Sequence, residues 1–237
     1  MIDRDRVAVI TGATGALGSV VARSMAEQGA RLALFSTSTE KLEKLASELG
    51  LPDERLLTGA HDLTQAEGAK EAAQQVKDRF GRVDILVHVV GGWLGGKSLI
   101  EVSAEDVSSM LNQHLWTTFN LAQAFVPHLR DNGWGRIIVV SSPLASTPPA
   151  NMGPYVAAKA AQEALVLTLA KEFAGSGVTA NILQVRTIDA KHERDAQKTS
   201  KNANWTTPEE ITAAVLYLCS NEAHVVNGGR IPLYGGA

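Results

Sequence analysis

Short apolar runs alternate with amphipathic stretches along the whole chain. The amphipathic stretches space their apolar residues as a helix does, whereas the apolar runs are continuous, as in buried parallel strands. Such alternation is typical of a doubly wound α/β fold, with helices on both faces of a parallel sheet. No linker, repeat or change of composition divides residues 1–237, so we expect a single domain with about seven strands. The strands are expected near residues 7–10, 31–35, 56–60, 84–90, 136–140, 178–183 and 229–233.

The helices are expected over residues 19–28, 40–49, 65–80, 104–129, 153–174 and 208–219. The stretch 189–205 differs from all of them, because it is polar and has almost no side chain that would enter a core. A long polar segment inside a compact domain is commonly a binding loop or disordered. We therefore expect residues 189–205 to form a mobile lid or a disordered loop.

Composition excludes several classes of protein. A length of 237 residues with 45% hydrophobic residues suits one large core, and a net charge of -3 gives no reason to expect nucleic acid or a membrane surface as a partner. The single cysteine, Cys219, excludes an internal disulfide and fits a small buried side chain. No apolar run approaches the ~20 residues of a membrane span. We expect a cytoplasmic protein without a metal site.

The first strand leads into a glycine-rich turn, Thr11-Gly-Ala-Thr-Gly-Ala-Leu-Gly18, and then into a helix. Glycines allow a tight turn and close approach of the backbone, and the helix N-terminus attracts a pyrophosphate. This arrangement predicts a Rossmann fold that binds a dinucleotide. The turn residues expected at the cofactor are Gly12, Thr14, Gly15, Ala16, Leu17 and Gly18.

The residues after the second strand bear on the choice of cofactor. A carboxylate at this place would bind the ribose 2′-hydroxyl of NAD, but the chain has Ser36, Thr37 and Ser38 there. Hydroxyl groups accommodate a 2′-phosphate without charge repulsion, so we expect NADP(H) to be preferred, with NAD(H) possible. The same hydroxyls also suit the capping of the next helix. Further cofactor contacts are expected after strands three and four, at Asp62, Leu63, Val90 and Gly91.

Tyr155 and Lys159 lie four residues apart in an Ala-rich helical stretch, and Ser142 precedes Tyr155 by 13 residues. Residues i and i+4 share one face of a helix, so the phenol and the ammonium group point the same way. A cation beside a phenol favours the phenolate and lowers the pKa of the tyrosine. The pair thus suits acid–base catalysis, although such pairs also occur on solvated helix faces.

With the glycine-rich turn, Asp62, Ser142, Tyr155 and Lys159 in this order, the chain resembles the short-chain dehydrogenase/reductase family over its full length. The resemblance implies that Tyr155 gives a proton to a small-molecule carbonyl substrate, to which Ser142 donates a hydrogen bond. It implies that Lys159 holds the nicotinamide ribose and lowers the pKa of Tyr155. It places Ile188 at the nicotinamide carboxamide, and it implies a reaction such as that of 3-oxoacyl-carrier-protein reductases.

The chain also departs from the family pattern. The family's catalytic Asn falls on His114, for which we expect either a role in holding a proton-relay water behind Lys159 or a helical His bonded to a backbone carbonyl. His88, in the fourth strand, is expected to be structural. The Gly-Gly-Trp-Leu-Gly-Gly96 segment is similar to the dihydropteridine reductases, whose loops imply reduction of a quinonoid pterin as an alternative.

Two further expectations follow from the resemblance. A member that lost catalysis would be a sensor of nicotinamide redox state, which is the alternative outside the enzymes. The family commonly pairs the helices equivalent to 104–129 and 153–174 across a two-fold axis, and the apolar residues of 160–170 cover more than one helix face. We therefore expect a homo-oligomer, a tetramer or a dimer.

Overall fold

The computed structural model describes residues 2–234, whose strands form one parallel sheet in the order β3-β2-β1-β4-β5-β6-β7. The chain builds outward from β1 in one direction and then from β4 in the other. In such a sheet a crevice opens where the direction changes, beyond the carboxyl ends of β1 and β4. The predicted fold class is confirmed. The strands are β1 Val7–Thr11, β2 Arg31–Ser36, β3 Leu56–Ala60, β4 Ile85–His88, β5 Gly135–Ser141, β6 Val178–Val185 and β7 Arg230–Leu233.

The helices cover both faces of the sheet, and each face has its own apolar cluster. One cluster contains Phe35 and Phe125, and the other contains Ile10, Met25 and Cys219. Burial of Cys219 is as predicted, and it raises the pKa of the thiol. The helices are α1 Ala16–Glu27, α2 Thr39–Leu49, α3 Ala66–Phe80, α4 Ala104–Leu111, α5 Thr117–Asp131, α6 Gly153–Glu172, α7 Glu193–Ala196 and α8 Pro208–Leu218. Among the helices of residues 2–234, none combines the length and apolar character that crossing a bilayer requires.

The fourth strand is shorter than predicted. It ends at His88, because its neighbour β1 ends at Thr11, the residue paired with His88. Val89 keeps one hydrogen bond, from its N–H to the Thr11 carbonyl at 3.2 Å, and Val90 then leaves the sheet. The chain therefore turns into the crevice two residues earlier than its apolar pattern indicates.

The single helix predicted over 104–129 is interrupted by a π-helical turn, Asn112–Trp116, between α4 and α5. There the Thr117 N–H donates to the Asn112 carbonyl, five residues earlier. The Thr118 hydroxyl donates to the His114 carbonyl at 2.7 Å, four residues back. Turns of this kind are frequent at functional sites. This one places His114 at the edge of the crevice.

The segment 189–205 contains local hydrogen-bonded structure. It contains α7, whose first N–H groups, on Glu193 and Arg194, donate to the Asp189 carboxylate at 2.8 and 2.9 Å. Arg194 also donates to the Trp205 carbonyl at 2.8 Å. Polar side chains thus satisfy part of the segment's backbone locally, without a core. Its mobility as a lid stays a prediction.

Candidate active site

The glycine-rich turn after β1 forms a cradle that excludes side chains. Gly12 has a φ of +71°, in the region that favours glycine, and its carbonyl accepts the Gly15 N–H at 3.0 Å. A Cβ added to Gly18 would lie 2.2 Å from the Gly12 carbonyl oxygen, so only glycine lets α1 begin against this turn. The first N–H groups of a helix have no partner within the helix, and such a helix start can bind a pyrophosphate.

A cavity of about 250 Å³ runs from this turn along the carboxyl ends of β1 to β4. It unites most of the predicted cofactor residues, namely Gly12, Thr14, Gly15, Ser36, Thr37, Asp62, Leu63, Val90 and Gly91. It also includes five residues that were not predicted, namely Phe35, His61, Thr64, Val89 and Thr117. Seven predicted cofactor residues lie outside its lining, namely Ala16, Leu17, Gly18, Ser38, Tyr155, Lys159 and Ile188.

The hydroxyl groups after β2 divide into two roles. Ser38 caps α2, since its side chain accepts the Lys41 N–H at 3.4 Å, so the capping interpretation is confirmed for this residue. Ser36 and Thr37 line the cavity, with the Ser36 hydroxyl 2.7 Å from that of Thr14. Within the described part of the chain, no Lys or Arg lines this cavity. Any preference for a 2′-phosphate therefore rests on hydroxyl groups rather than on a cation.

A second cavity, of about 150 Å³, lies at the carboxyl ends of β4, β5 and β6. Val89, Val90 and Gly91 line both cavities, so the two are adjacent. The predicted residues that it brings together are Val90, Gly91, His114, Tyr155, Lys159 and Ile188, whereas the predicted Ser142 is not part of its lining. Gly92, Val140, Ser141, Val185, Arg186 and Thr187 complete its lining.

Tyr155 and Ser142 lie close together because β5 ends and α6 begins at this edge of the sheet. Ser142 follows β5 directly and is buried, and its hydroxyl accepts the Leu144 N–H at 3.3 Å. Burial raises the pKa of Tyr155 above its ordinary value, and a hydrogen bond with Ser142 partly opposes that rise. The lowering of the Tyr155 pKa that was expected from Lys159 is not found, because desolvation of the phenol dominates.

Lys159 is a buried cation with few partners. Its ammonium group donates to the Val140 carbonyl at 2.9 Å and to Gln162 Oε1 at 3.0 Å. Burial lowers the pKa of Lys159 to about 7, and the neighbouring Glu163 carboxylate partly opposes this effect. Lys159 therefore titrates near neutral pH, and one of its three N–H groups has no partner among these contacts.

His114 lies between the Gly91–Gly92 backbone and Tyr155. Its Nε2 is 3.0 Å from the Gly92 carbonyl, and its ring meets that of Tyr155 edge to face, with centroids 5.6 Å apart. A Cβ on Gly91 would lie 2.3 Å from the His114 ring, so the two residues depend on each other. Because a carbonyl only accepts, Nε2 carries the proton, and Nδ1 is a buried acceptor with no partner in residues 2–234.

Burial and the charge on Lys159 lower the pKa of His114 to about 3, so the ring is neutral under ordinary conditions. The contact with the Gly92 carbonyl matches one of the two expectations for this residue, a helical His bonded to the backbone. The role in holding a proton-relay water stays a prediction.

His88 is enclosed by hydroxyl groups. Its Nδ1 lies 2.7 Å from the Thr11 hydroxyl and its Nε2 lies 3.3 Å from that of Thr117. Burial lowers its pKa to about 3, so it is neutral as well. These contacts join β4 to β1 and α5, which fits the structural interpretation.

Sequence reasoning missed Gln162, Thr117 and Thr118. Gln162 follows Lys159 by three residues and so lies on the same helix face, which was a usable signal. The two threonines bond the carbonyls of the π-helical turn, and nothing in the apolar pattern marks that turn. Within residues 2–234, no group of three or more His, Cys, Asp or Glu side chains is placed to bind a metal.

Comparisons with known proteins agree with this geometry. The family model described as short chain dehydrogenase matches residues 6–201. A (2S)-[(R)-hydroxy(phenyl)methyl]succinyl-CoA dehydrogenase subunit of Thauera aromatica is 31% identical, over 98% of this chain and 94% of its own length. A 3-oxoacyl-[acyl-carrier-protein] reductase of Vibrio cholerae is 30% identical, over 98% of this chain and 96% of its own.

A solved structure is similar over the whole fold. The L-sorbose reductase of Gluconobacter frateurii, in complex with NADPH and L-sorbose, has a TM-score of 0.88 at 25% identity and covers 100% of this chain and 97% of its own. The glycine cradle and the two adjacent cavities suit a nicotinamide dinucleotide. This chain belongs to the short-chain dehydrogenase/reductase family and is an NAD(P)-dependent oxidoreductase acting on CH–OH or C=O groups.

Proposed function

We propose that this chain reduces a small-molecule carbonyl, with NADP(H) preferred and with Tyr155 as the proton donor. The main support is the cavity that Tyr155 and Lys159 line together, which lies next to the larger cavity at the glycine-rich turn and shares Val89, Val90 and Gly91 with it. When bound there, a nicotinamide cofactor supplies the hydride. The protein then has to bind the carbonyl, orient it and deliver one proton to its oxygen.

The surroundings of Tyr155 suit a proton donor. Burial raises its pKa, so the phenol keeps its proton at neutral pH until the carbonyl oxygen becomes more basic during reduction. Ser142 is buried and hydrogen-bonds Tyr155, and we assign to it a second hydrogen bond to the same oxygen. The unpartnered N–H of Lys159 is available for a ribose hydroxyl or for the phenol. These roles require no further titratable group.

Replacing Tyr155 by Phe tests this assignment. The substitution keeps the ring and removes the proton, so we expect turnover to fall by at least about 100-fold. Cofactor affinity should stay within about threefold, because the fold and the glycine-rich turn are unchanged. Steady-state kinetics and fluorescence titration with NADPH measure the two quantities. The control is Tyr217→Phe, on the exposed part of α8. A Tyr155→Phe protein with the wild-type rate would exclude Tyr155 as the proton donor. A wild-type chain without turnover on any carbonyl would favour the alternative of a sensor of nicotinamide redox state.

The preference for NADP(H) rests on the residues at the end of β2. Ser36 and Thr37 line the cavity where the adenine ribose of a dinucleotide lies in this fold, and the nearest predicted carboxylate, that of Asp62, accepts hydrogen bonds from Thr64 at 3.0 and 2.6 Å. A 2′-phosphate therefore meets hydroxyl donors at this place. Binding of NAD(H) remains compatible with the same lining.

Substituting Ser36 by Asp should reverse this preference. A carboxylate at this place repels a 2′-phosphate and accepts from a 2′-hydroxyl, so we expect NADPH affinity to fall by at least about tenfold and NADH affinity to hold or rise. Fluorescence titrations at one fixed ionic strength measure both. Ser36→Asn, of equal size and without charge, is the matched control. A wild-type chain that favours NADH, unaltered by Ser36→Asp, would contradict the proposal.

For the substrate we propose a ketone, such as a 3-oxoacyl thioester. Support comes from relatives that are named for dehydrogenation of a hydroxy-substituted succinyl-CoA and for reduction of a 3-oxoacyl group on acyl-carrier protein. The glycine-rich loop after β4 is fixed beside α6, since the Gly96 N–H donates to the Asn151 carbonyl at 2.7 Å, and Trp93 in this loop is exposed. A quinonoid pterin, the alternative, would stack on such a ring.

We also propose that residues 189–205, which follow Ile188 at the cavity, move as a lid.

We propose that a second copy of this chain covers a groove between α5 and α6. The groove has a volume of about 320 Å³ and is mostly apolar. An exposed apolar surface of this kind is typical of a protein–protein interface. The family resemblance names the same two helices as the pairing surface. The residues that line the groove are Phe119, Ala122, Gln123, Val126, Pro127, Arg130, Leu165, Thr168, Leu169, Glu172 and Phe173.

Leu165→Glu places a charge in this groove and should break the assembly. We expect the wild-type chain to be a dimer or tetramer at micromolar concentration. The molar mass of the variant's assembly should be at most half that of the wild type. Light scattering coupled to size exclusion measures both. Ser47→Glu, on an exposed position of α2, is the control for added charge. A wild-type monomer would refute this interface.

A further inference from the structure

Gln162 is a buried amide that contacts Lys159 on one side and the π-helical turn on the other. It is fully buried on α6, three residues after Lys159. Its Oε1 accepts from the Lys159 ammonium group at 3.0 Å. Its Nε2 donates to the Thr118 hydroxyl at 2.8 Å and lies 3.4 Å from the His114 carbonyl. One side chain thus joins the buried cation to the turn that holds His114.

The chemistry of the neighbours determines how this amide is oriented. The Thr118 hydroxyl gives its own proton to the His114 carbonyl at 2.7 Å, so it meets Gln162 as an acceptor. The Nε2 group, which only donates, must therefore face Thr118, and Oε1 must face the ammonium group. A flipped amide would place N–H groups against the cation and an oxygen against a carbonyl. The orientation that accepts from Lys159 is the only one that satisfies all partners.

We propose that Gln162 is a positioning residue for Lys159, which fixes where the ammonium group lies and helps it to keep its charge. The proposal rests on the proposed function of this site and deepens it. Val140 and Gln162 accept two of the three N–H groups, which leaves the third for a partner in the cavity that Lys159 and Tyr155 both line. An unbranched apolar side chain at this position would leave the cation with one fixed partner.

The charge on Lys159 depends on few other groups. Glu163 is the acid that favours the ammonium form, and it also accepts from Gln184 at 3.1 Å and pairs with Arg230 at 2.5 Å. The titratable or charged groups that face Lys159 or share its cavity, from all packed elements, are Tyr155 and Glu163 on α6, His88 on β4, His114 on the π-helical turn and Arg186 after β6. Both histidines are neutral above pH ~4. Gln162 is therefore the neutral side chain that accepts directly from Lys159, so its removal or ionisation should shift the titration of Lys159.

Two substitutions move the titration of Lys159 in opposite directions. Gln162→Glu puts a carboxylate against the ammonium group and should raise the titration midpoint of Lys159 by about one pH unit or more. Gln162→Met keeps the length of the side chain, removes the acceptor and should lower the midpoint. The midpoint is measured without substrate, as the pH dependence of acetylation of Lys159 by acetic anhydride, read by peptide mass spectrometry. The alkaline limb of kcat/KM should move in the same directions, because the charged form is the active one.

The control is Asn181→Leu, which removes another buried side-chain amide. Asn181 lies on β6, where its amide hydrogen-bonds the Val226 carbonyl and the Gly229 N–H and makes no hydrogen bond with Lys159. It should lower stability and leave the Lys159 midpoint unchanged. If Gln162→Met does not fold, Gln162→Glu alone decides, since its midpoint must rise. Midpoints that move together in both variants, or that do not move, would overturn the proposal. A wild-type chain without turnover would instead refute the proposed function, while the labelling result would still decide the role of Gln162.

Discussion

The desolvated ammonium group of Lys159 is the constraint on which the rest of the site depends. A cation in a protein interior is unstable unless polar groups surround it, and burial here lowers its pKa to about 7. Its acceptors come from two different elements, the end of β5 through Val140 and α6 through Gln162. Because these contacts hold the group in one place, its remaining N–H has a defined direction.

The sheet places these groups next to the glycine-rich turn. β4 stops at His88 because β1 stops at Thr11, so Val89–Gly91 cross the crevice and line both cavities. Gly91 has to be small, since the His114 ring lies where a side chain would be. The π-helical turn brings that ring to Tyr155 and turns a backbone carbonyl toward Gln162. One end of the sheet thus aligns a dinucleotide cradle with a proton donor.

Much of the fold and of the site was predictable from local chemistry. Seven apolar runs predicted the strands, because buried strands need apolar side chains. The glycine spacing predicted the cradle, because only glycine fits such a tight turn. Tyr155 and Lys159 share a cavity as their helical spacing predicts. The π-helical turn, the helix in 189–205 and the role of Gln162 were not predictable in the same way. Each depends on tertiary hydrogen bonds between residues distant in sequence, or on polar side chains that an apolar pattern ignores. The predicted lowering of the Tyr155 pKa was wrong, because burial raises this pKa and the depth of burial is a tertiary property.

A crystal structure of this chain with NADPH tests the central claim most directly. The account predicts that the Lys159 ammonium group keeps its contacts with Gln162 Oε1 and the Val140 carbonyl, each at about 2.7–3.2 Å. It predicts that the third N–H then meets a nicotinamide ribose hydroxyl, with Tyr155 beside the nicotinamide ring. Lys159 turned away from Gln162 when the cofactor binds, or a cofactor that does not reach Tyr155, would contradict it.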